Sequence, residues 1–136
     1  MPAPADVPAG FQPLSDAGPF IERAGPFYTR EADGLVAVRV EDHHLNAGGS
    51  AMGGLLATLV DIAFGRAIRG EADGDAQVAT VSLTTDYLRP GPAGAWLEAH
   101  TEVERLGGHL AFGDCSVSAE GEEIVRARAV FAVARD

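Results

Sequence analysis

The chain has a single cysteine and no lysine. One thiol, Cys115, excludes an intrachain disulfide and fits a reducing compartment, so a cytoplasmic location is expected. Cys115 itself reads as a small buried strand residue, because no nucleophile motif surrounds it. Bases are scarce: 10 Arg stand against 20 Asp plus Glu over 136 residues, a formal net charge of −10. Nucleic-acid recognition needs a basic stripe, so that partner class is set aside. An anionic ligand must instead be held by a few placed arginines and backbone N–H groups, against an unfavourable overall field. Long apolar runs are missing too. Leu55 to Ile68 is the most hydrophobic stretch, but it is too short to span a bilayer and Asp61 interrupts it, so no membrane partner is expected. The N-terminus has neither a positive charge before Arg23 nor an apolar run, which is not the pattern of a secretory signal. What is present, 46% apolar and 22% charged residues, is the composition of an ordinary globular protein. At this length one domain is the expectation: residues 1–10, rich in Pro and Ala, as a flexible arm and residues 11–136 as a single folded unit.

Phe11 to Ile21 mixes Phe, Leu and Ile with Pro and Gly and reads as a short helical or irregular cover. Phe27 to Glu31 and Leu35 to Val40 flank Ala32-Asp33-Gly34, a hairpin signal, with Val36, Val38 and Val40 on one face. After a polar, glycine-bearing loop, Ser50 is placed to cap a helix that begins near Ala51 and runs from Gly53 to Arg69. Gly70 ends it, and Arg66 and Arg69 suit the negative end of its dipole. Four strands follow: Gln77 to Tyr87, Ala95 to Leu106, His109 to Ala119 and Glu122 to Val133. The helix is apolar nearly all round and must be buried. The order β-β-α-β-β-β-β therefore implies an α+β hotdog fold, one antiparallel sheet wrapped around one long central helix.

Two features break this pattern. Asp61 lies in the middle of the apolar helix, and positions three and four away are Ala57, Thr58, Phe64 and Gly65, none of them basic. Burying a carboxylate costs several kcal/mol unless it is paired. Its stripe, Gly54, Ala57, Thr58, Asp61 and Gly65, is small, so a strand, a second subunit or a ligand approaches closely there. One reading is a structural aspartate held by backbone or hydroxyl donors; the other is a general base or nucleophile. The second feature is the loop from His43 to Gly54, whose glycines lead into the positive end of the helix and present unpaired N–H groups suited to an anion or oxyanion. No Gly-Lys-Ser/Thr follows, so it is not a Walker loop.

The string His44-x-Asn46-x-x-Gly49-x-x-x-Gly53-Gly54, then Leu59-x-Asp61, then Thr80 to Pro90 closing on Tyr87-Leu88-Arg89-Pro90, resembles the hotdog-fold acyl-CoA thioesterases. It is closest to their phenylacetic-acid-degradation (PaaI-like) branch. The resemblance implies hydrolysis of a CoA thioester of a medium-chain or aryl acid, without metal or redox cofactor. It implies Asp61 as general base or nucleophile, and the backbone N–H of Gly53 as the donor that polarises the thioester carbonyl. It implies Asn46 as the amide that positions water or carboxylate, and Thr80 as a hydroxyl that helps orient the water. It also implies a dimer, or a tetramer formed by two such dimers, in which the loop of one subunit faces the helix carboxylate of the other.

Two departures from the family pattern matter. Many members carry His-Gly-Gly at the helix entrance, whereas this chain has Met52-Gly53-Gly54, and a thioether neither donates a hydrogen bond nor carries a proton. Met52 is then an apolar wall beside the substrate, with His44, Gly49 and Gly54 completing the loop side of the binding site. The basic residue that often follows the fourth strand is replaced by Arg105-Leu106-Gly107-Gly108-His109, so Arg105, His109 or Arg89 is left to hold the CoA phosphates. Adjacent His43 and His44 complete no zinc-ligand spacing. The rival readings are a non-catalytic acyl-CoA or aryl-ligand binding protein, which Met52 favours, and a hotdog hydratase, which Asp42-His43-His44-Leu45-Asn46 imitates only in part.

Overall fold

A computed structural model describes residues 6–15, 17–72 and 76–134. The first half of the expected N-terminal arm, residues 1–5, lies outside the described residues. The elements are β1 (Phe11–Pro13), α1 (Pro19–Ala24), β2 (Phe27–Arg30), β3 (Leu35–Arg39), a single 3-10 turn (Asp42–His44), α2 (Gly53–Glu71), β4 (Gln77–Tyr87), β5 (Trp96–Leu106), β6 (Leu110–Ala119) and β7 (Glu122–Ala134). All seven strands form one antiparallel sheet in the order β1-β2-β3-β5-β6-β7-β4. This is the hotdog arrangement, with α2 as its one long helix.

The expected cover resolves into two elements. Phe11 pairs with Arg30 in register and packs edge-on against Trp96, with ring centroids 5.2 Å apart, so the segment begins as a strand. Pro19 then opens α1, because a proline at the first helical position gives up an N–H that has no helical partner anyway.

The core lies between the sheet and one face of α2. Leu59, Phe64 and Ile68 from the helix meet Val36, Val38, Leu97, Val117 and Val125 from the strands, and all are excluded from solvent. Each such side chain contributes about 1.5–3 kcal/mol by leaving water. Gly113 makes this closeness possible: a Cβ there would meet the Glu102 carbonyl oxygen at 2.9 Å and the Phe64 ring at 3.0 Å. The opposite face of α2, Gly54, Ala57, Thr58, Asp61 and Gly65, is touched by the sheet only at its margin and remains half-buried or exposed. The helix is therefore not enclosed all round within one chain. Among the described residues, no helix is long and apolar enough to cross a membrane.

Candidate active site

The loop between β3 and α2 is rigid for reasons the side chains make plain. His44 is buried. Its Nδ1 accepts the Glu41 N–H at 3.0 Å, so the proton sits on Nε2, which donates to the Ala24 carbonyl at 2.6 Å. Both ring nitrogens are spent on backbone, which makes His44 a brace between α1 and the loop. His43 reaches the Gly25 carbonyl at 2.7 Å, and its ring lies tilted against that of His44, with centroids 3.9 Å apart. Asn46 turns back into its own loop: Oδ1 accepts the N–H groups of Gly48 at 2.9 Å and Ser50 at 3.2 Å, and Nδ2 donates to Ser50 Oγ at 3.3 Å. Gly49 closes that turn at φ +89°, a conformation side chains disfavour.

Ser50 is thus not the helix cap. Met52 occupies that position, without a side-chain cap and about half exposed. Among the described residues, the N–H groups of Gly53 and Gly54 have no hydrogen-bond partner. These are the free donors expected at a helix start. Their carbonyls are engaged: Tyr87 donates its phenolic O–H to the Gly53 oxygen at 3.0 Å, and Thr58 Oγ1 donates to the Gly54 oxygen at 2.8 Å. The Tyr87 ring also lies 3.6 Å from where a Gly53 Cβ would be. Tyr87 belongs to the site and was not singled out by sequence reasoning.

Two helical turns on, Thr80 donates its hydroxyl to Asp61 Oδ1 at 2.6 Å. A bulge in β4 explains how one strand reaches both places. Thr80 pairs with Phe131 and Ser82 with the adjacent Val130, so Val81 is an extra residue. Before the bulge, Val78 and Thr80 face the helix; after it, the parity flips and Leu83, Thr85 and Tyr87 do. Asp61 stands where two clefts meet. One, of about 500 Å³, runs between α1 and α2 over Phe20, Ile21, Ala57, Ile62 and Leu83. The other, of about 430 Å³, runs toward the C-terminal end of α2 over Ile62, Val78 and Phe131 and is rimmed by Arg66 and Arg69. Met52, Gly54 and His44 line a third, smaller cleft with Phe20 and Arg23.

Within one chain the oxyanion donor and the carboxylate do not meet. Gly53 and Asp61 are eight residues apart, about 12 Å of helix rise, and the free N–H groups point away from Asp61 along the axis. The remaining expected residues are dispersed. Arg89 is occupied, pairing with Glu122 at 2.8 Å and donating to the Glu123 carbonyl at 2.9 Å. Arg105 and His109 are exposed at the β5–β6 turn and line neither cleft of Asp61. Cys115 lies in β6, where burial pushes its thiol up to about 11, which leaves it un-ionised and unfit as a nucleophile.

Residues 48–125 match the family model described as thioesterase superfamily. That span holds Gly53, Asp61, Thr80 and Tyr87, while His44 and Asn46 lie just before it. The chain is 36% identical over 129 residues to the Pseudomonas aeruginosa protein named "Putative esterase PA0474", covering 93% of this chain and 96% of that one. Among solved structures, the N33D mutant of the phenylacetic acid degradation protein PaaI from Thermus thermophilus is 30% identical, covers 85% of this chain and 98% of its own, and superposes with a TM-score of 0.74. The BH2602 protein of Bacillus halodurans, solved with CoA, shares the fold at a TM-score of 0.79 and 19% identity, covering 86% of this chain and 77% of that one.

Proposed function

The chain belongs to the thioesterase superfamily, in its PaaI-like hotdog branch, and is a thioester hydrolase; from that premise we propose that its substrate is an acyl-CoA with a medium-chain or aryl acyl group. The observation that carries the reading is the Asp61 carboxylate, oriented by Thr80 at the meeting point of two clefts, the one between α1 and α2 having mainly apolar walls. An apolar acyl group fits those walls, and the fold accommodates CoA in the Bacillus halodurans protein.

In this reading the site is completed by a second copy of the chain. One thioester carbonyl cannot span the 12 Å or so of helix between Gly53 and Asp61, so the N–H of Gly53 in one subunit works with Asp61 of the other. Two features suit such pairing. The small stripe on α2 lets another helix approach, and the free edge of β4 is eleven residues long, unpaired on its outer side, and exposes Val81. Asn46 then acts through its loop, holding the turn that leads into the donor helix.

The chemistry follows from charge development. Attack on the thioester carbon puts negative charge on the carbonyl oxygen, and an oriented N–H there is worth about 2.7–4 kcal/mol in the transition state. Asp61 removes a proton from water as it attacks, or attacks directly to give an anhydride that water opens. In either route the C–S bond breaks and the thiol leaves with one proton, giving free acid and CoA. Thr80 fixes which carboxylate oxygen is free to act. Met52, at the helix entrance, supplies an apolar contact to the acyl or pantetheine chain.

A panel of acyl-CoAs followed with a thiol reagent tests this. Thiol release from medium-chain or aryl esters is expected, in parallel with a dimer or larger assembly by light scattering. Tight binding of the same esters with no thiol release, or absorbance loss from an enoyl-CoA instead, overturns it.

A further inference from the structure

Nine of the ten arginines, all but Arg135, fall among the described residues, and most have work to do. Arg30 pairs with Asp33, Arg89 with Glu122, Arg126 with Glu123, and Arg128 with Asp114 and Glu104. Arg39 donates to the Gly94 carbonyl and lies over Trp96. Among the described residues, the side chains of four arginines, Arg23, Arg66, Arg69 and Arg105, have no ion pair, hydrogen bond or ring contact, and of these only Arg66 and Arg69 rim a cleft that also holds Asp61.

We propose that Arg66 and Arg69 form an anion-binding subsite that receives a negatively charged group of the thioester substrate. The cleft has the shape of the ligand this implies. Its floor is apolar, from Leu14, Ile62, Val78 and Phe131, and its far rim is cationic. Arg66 and Arg69 stand five and eight residues beyond Asp61, about 7–12 Å of helix rise, and a guanidinium reaches back several ångströms along its stem. A short apolar chain ending in a carboxylate, with its thioester at Asp61, spans that distance. Planar guanidinia grip such a group with paired N–H donors. The same fork also takes phosphate, so a CoA phosphate is the other source of the charge. In a protein of net charge −10, these two side chains offset a field that otherwise repels either anion.

The inference rests on the thioesterase reading, and the experiment separates the two. Adipyl-CoA and heptanoyl-CoA are compared in the wild type and in Arg66→Gln/Arg69→Gln, with N-acetylcysteamine thioesters of the same acids as a nucleotide-free arm. Titration calorimetry with the same CoA esters provides a second readout. A distal carboxylate in the subsite gives the wild type a preference for adipyl over heptanoyl of roughly tenfold or more in kcat/KM, retained in the cysteamine series and lost in the variant. A CoA phosphate in the subsite lowers turnover of both CoA esters in the variant and leaves both cysteamine esters alone. Unchanged kinetics for all four substrates and unchanged binding of both CoA esters overturn the subsite. If the wild type hydrolyses nothing, the enzymatic reading falls alone. The subsite then stands on roughly tenfold weaker binding of a CoA ester by the variant, or falls with equal binding.

Discussion

β3 and β4 belong to one sheet and draw on similar β-branched and small residues, yet they live in different environments. In β3, Val36, Ala37 and Val38 are wholly excluded from solvent between β2 and β5, Val36 and Val38 beneath α2. In β4, Thr80, Ser82 and Thr84 are exposed and Val81 keeps 60% of its surface. The difference comes from position, since β3 is interior and β4 is the last strand of the sheet. It divides the labour. The interior strand contributes packing and touches nothing reactive. The edge strand contributes little packing and places a hydroxyl on Asp61 and another on Gly53.

The largest expected effect lies where β4 meets the helix. Asp61→Asn keeps the shape and the Thr80 contact but removes the base. Thioester hydrolysis should fall at least about a hundredfold, roughly 2.7 kcal/mol, with the assembly intact. Unchanged thiol release would detach Asp61 from the chemistry and return it to a structural role. Next comes the interior strand. Val38, between Phe27 and Leu97, should cost about 2 kcal/mol of stability as Val38→Ala, read from urea unfolding, with activity per folded molecule preserved. A loss of turnover without a loss of stability would erase the division between the two strands. Smaller again is Val81→Lys on the free edge. A charge there should weaken self-association about tenfold, and activity should recover as protein concentration rises. An assembly that ignores the substitution would exclude this edge as the subunit boundary.

Much of this was legible in the chain, for physical reasons. β4 runs from Gln77 to Tyr87, the limits its alternation indicates, because β-branched residues favour extended backbone and the flanking residues do not continue it. Asp61 announced itself as a charge in an apolar helix. Thr80 entered by resemblance, as a hydroxyl that orients water; its bond to Asp61 was not legible, since nothing in the spacing of 19 residues fixes a contact. The bulge at Val81 was not legible: strict alternation puts Thr80 and Ser82 on one face, and only the register against β7 shows that they part. Tyr87 was missed for the same reason, because its orientation depends on that flip. Ser50 has the chemistry of a cap, but Asn46 claims it first. Arg89 looked free, but the chain returns Glu122 beside it.

Tyr87 carries the smallest predicted effect and the finest question. Two successive glycines open α2, and each costs roughly 1 kcal/mol of helix stability relative to alanine, so the turn that aims the donor N–H groups tends to fray. The Tyr87 hydroxyl counters this by holding the Gly53 carbonyl. Tyr87→Phe removes that bond and keeps the ring, so kcat should fall several-fold, up to about tenfold, while KM changes little, because the donor matters most when the carbonyl oxygen becomes charged. Gly53→Ala in the Tyr87→Phe background then tells stiffening from polarisation. A methyl group there would sit 3.6 Å from the tyrosine ring, an ordinary contact, so it fits. If Tyr87 works by stiffening the turn, alanine restores part of the lost kcat. If it works by polarising the peptide that carries the Gly54 N–H, the loss remains, because alanine adds order to the backbone and no charge to the donor.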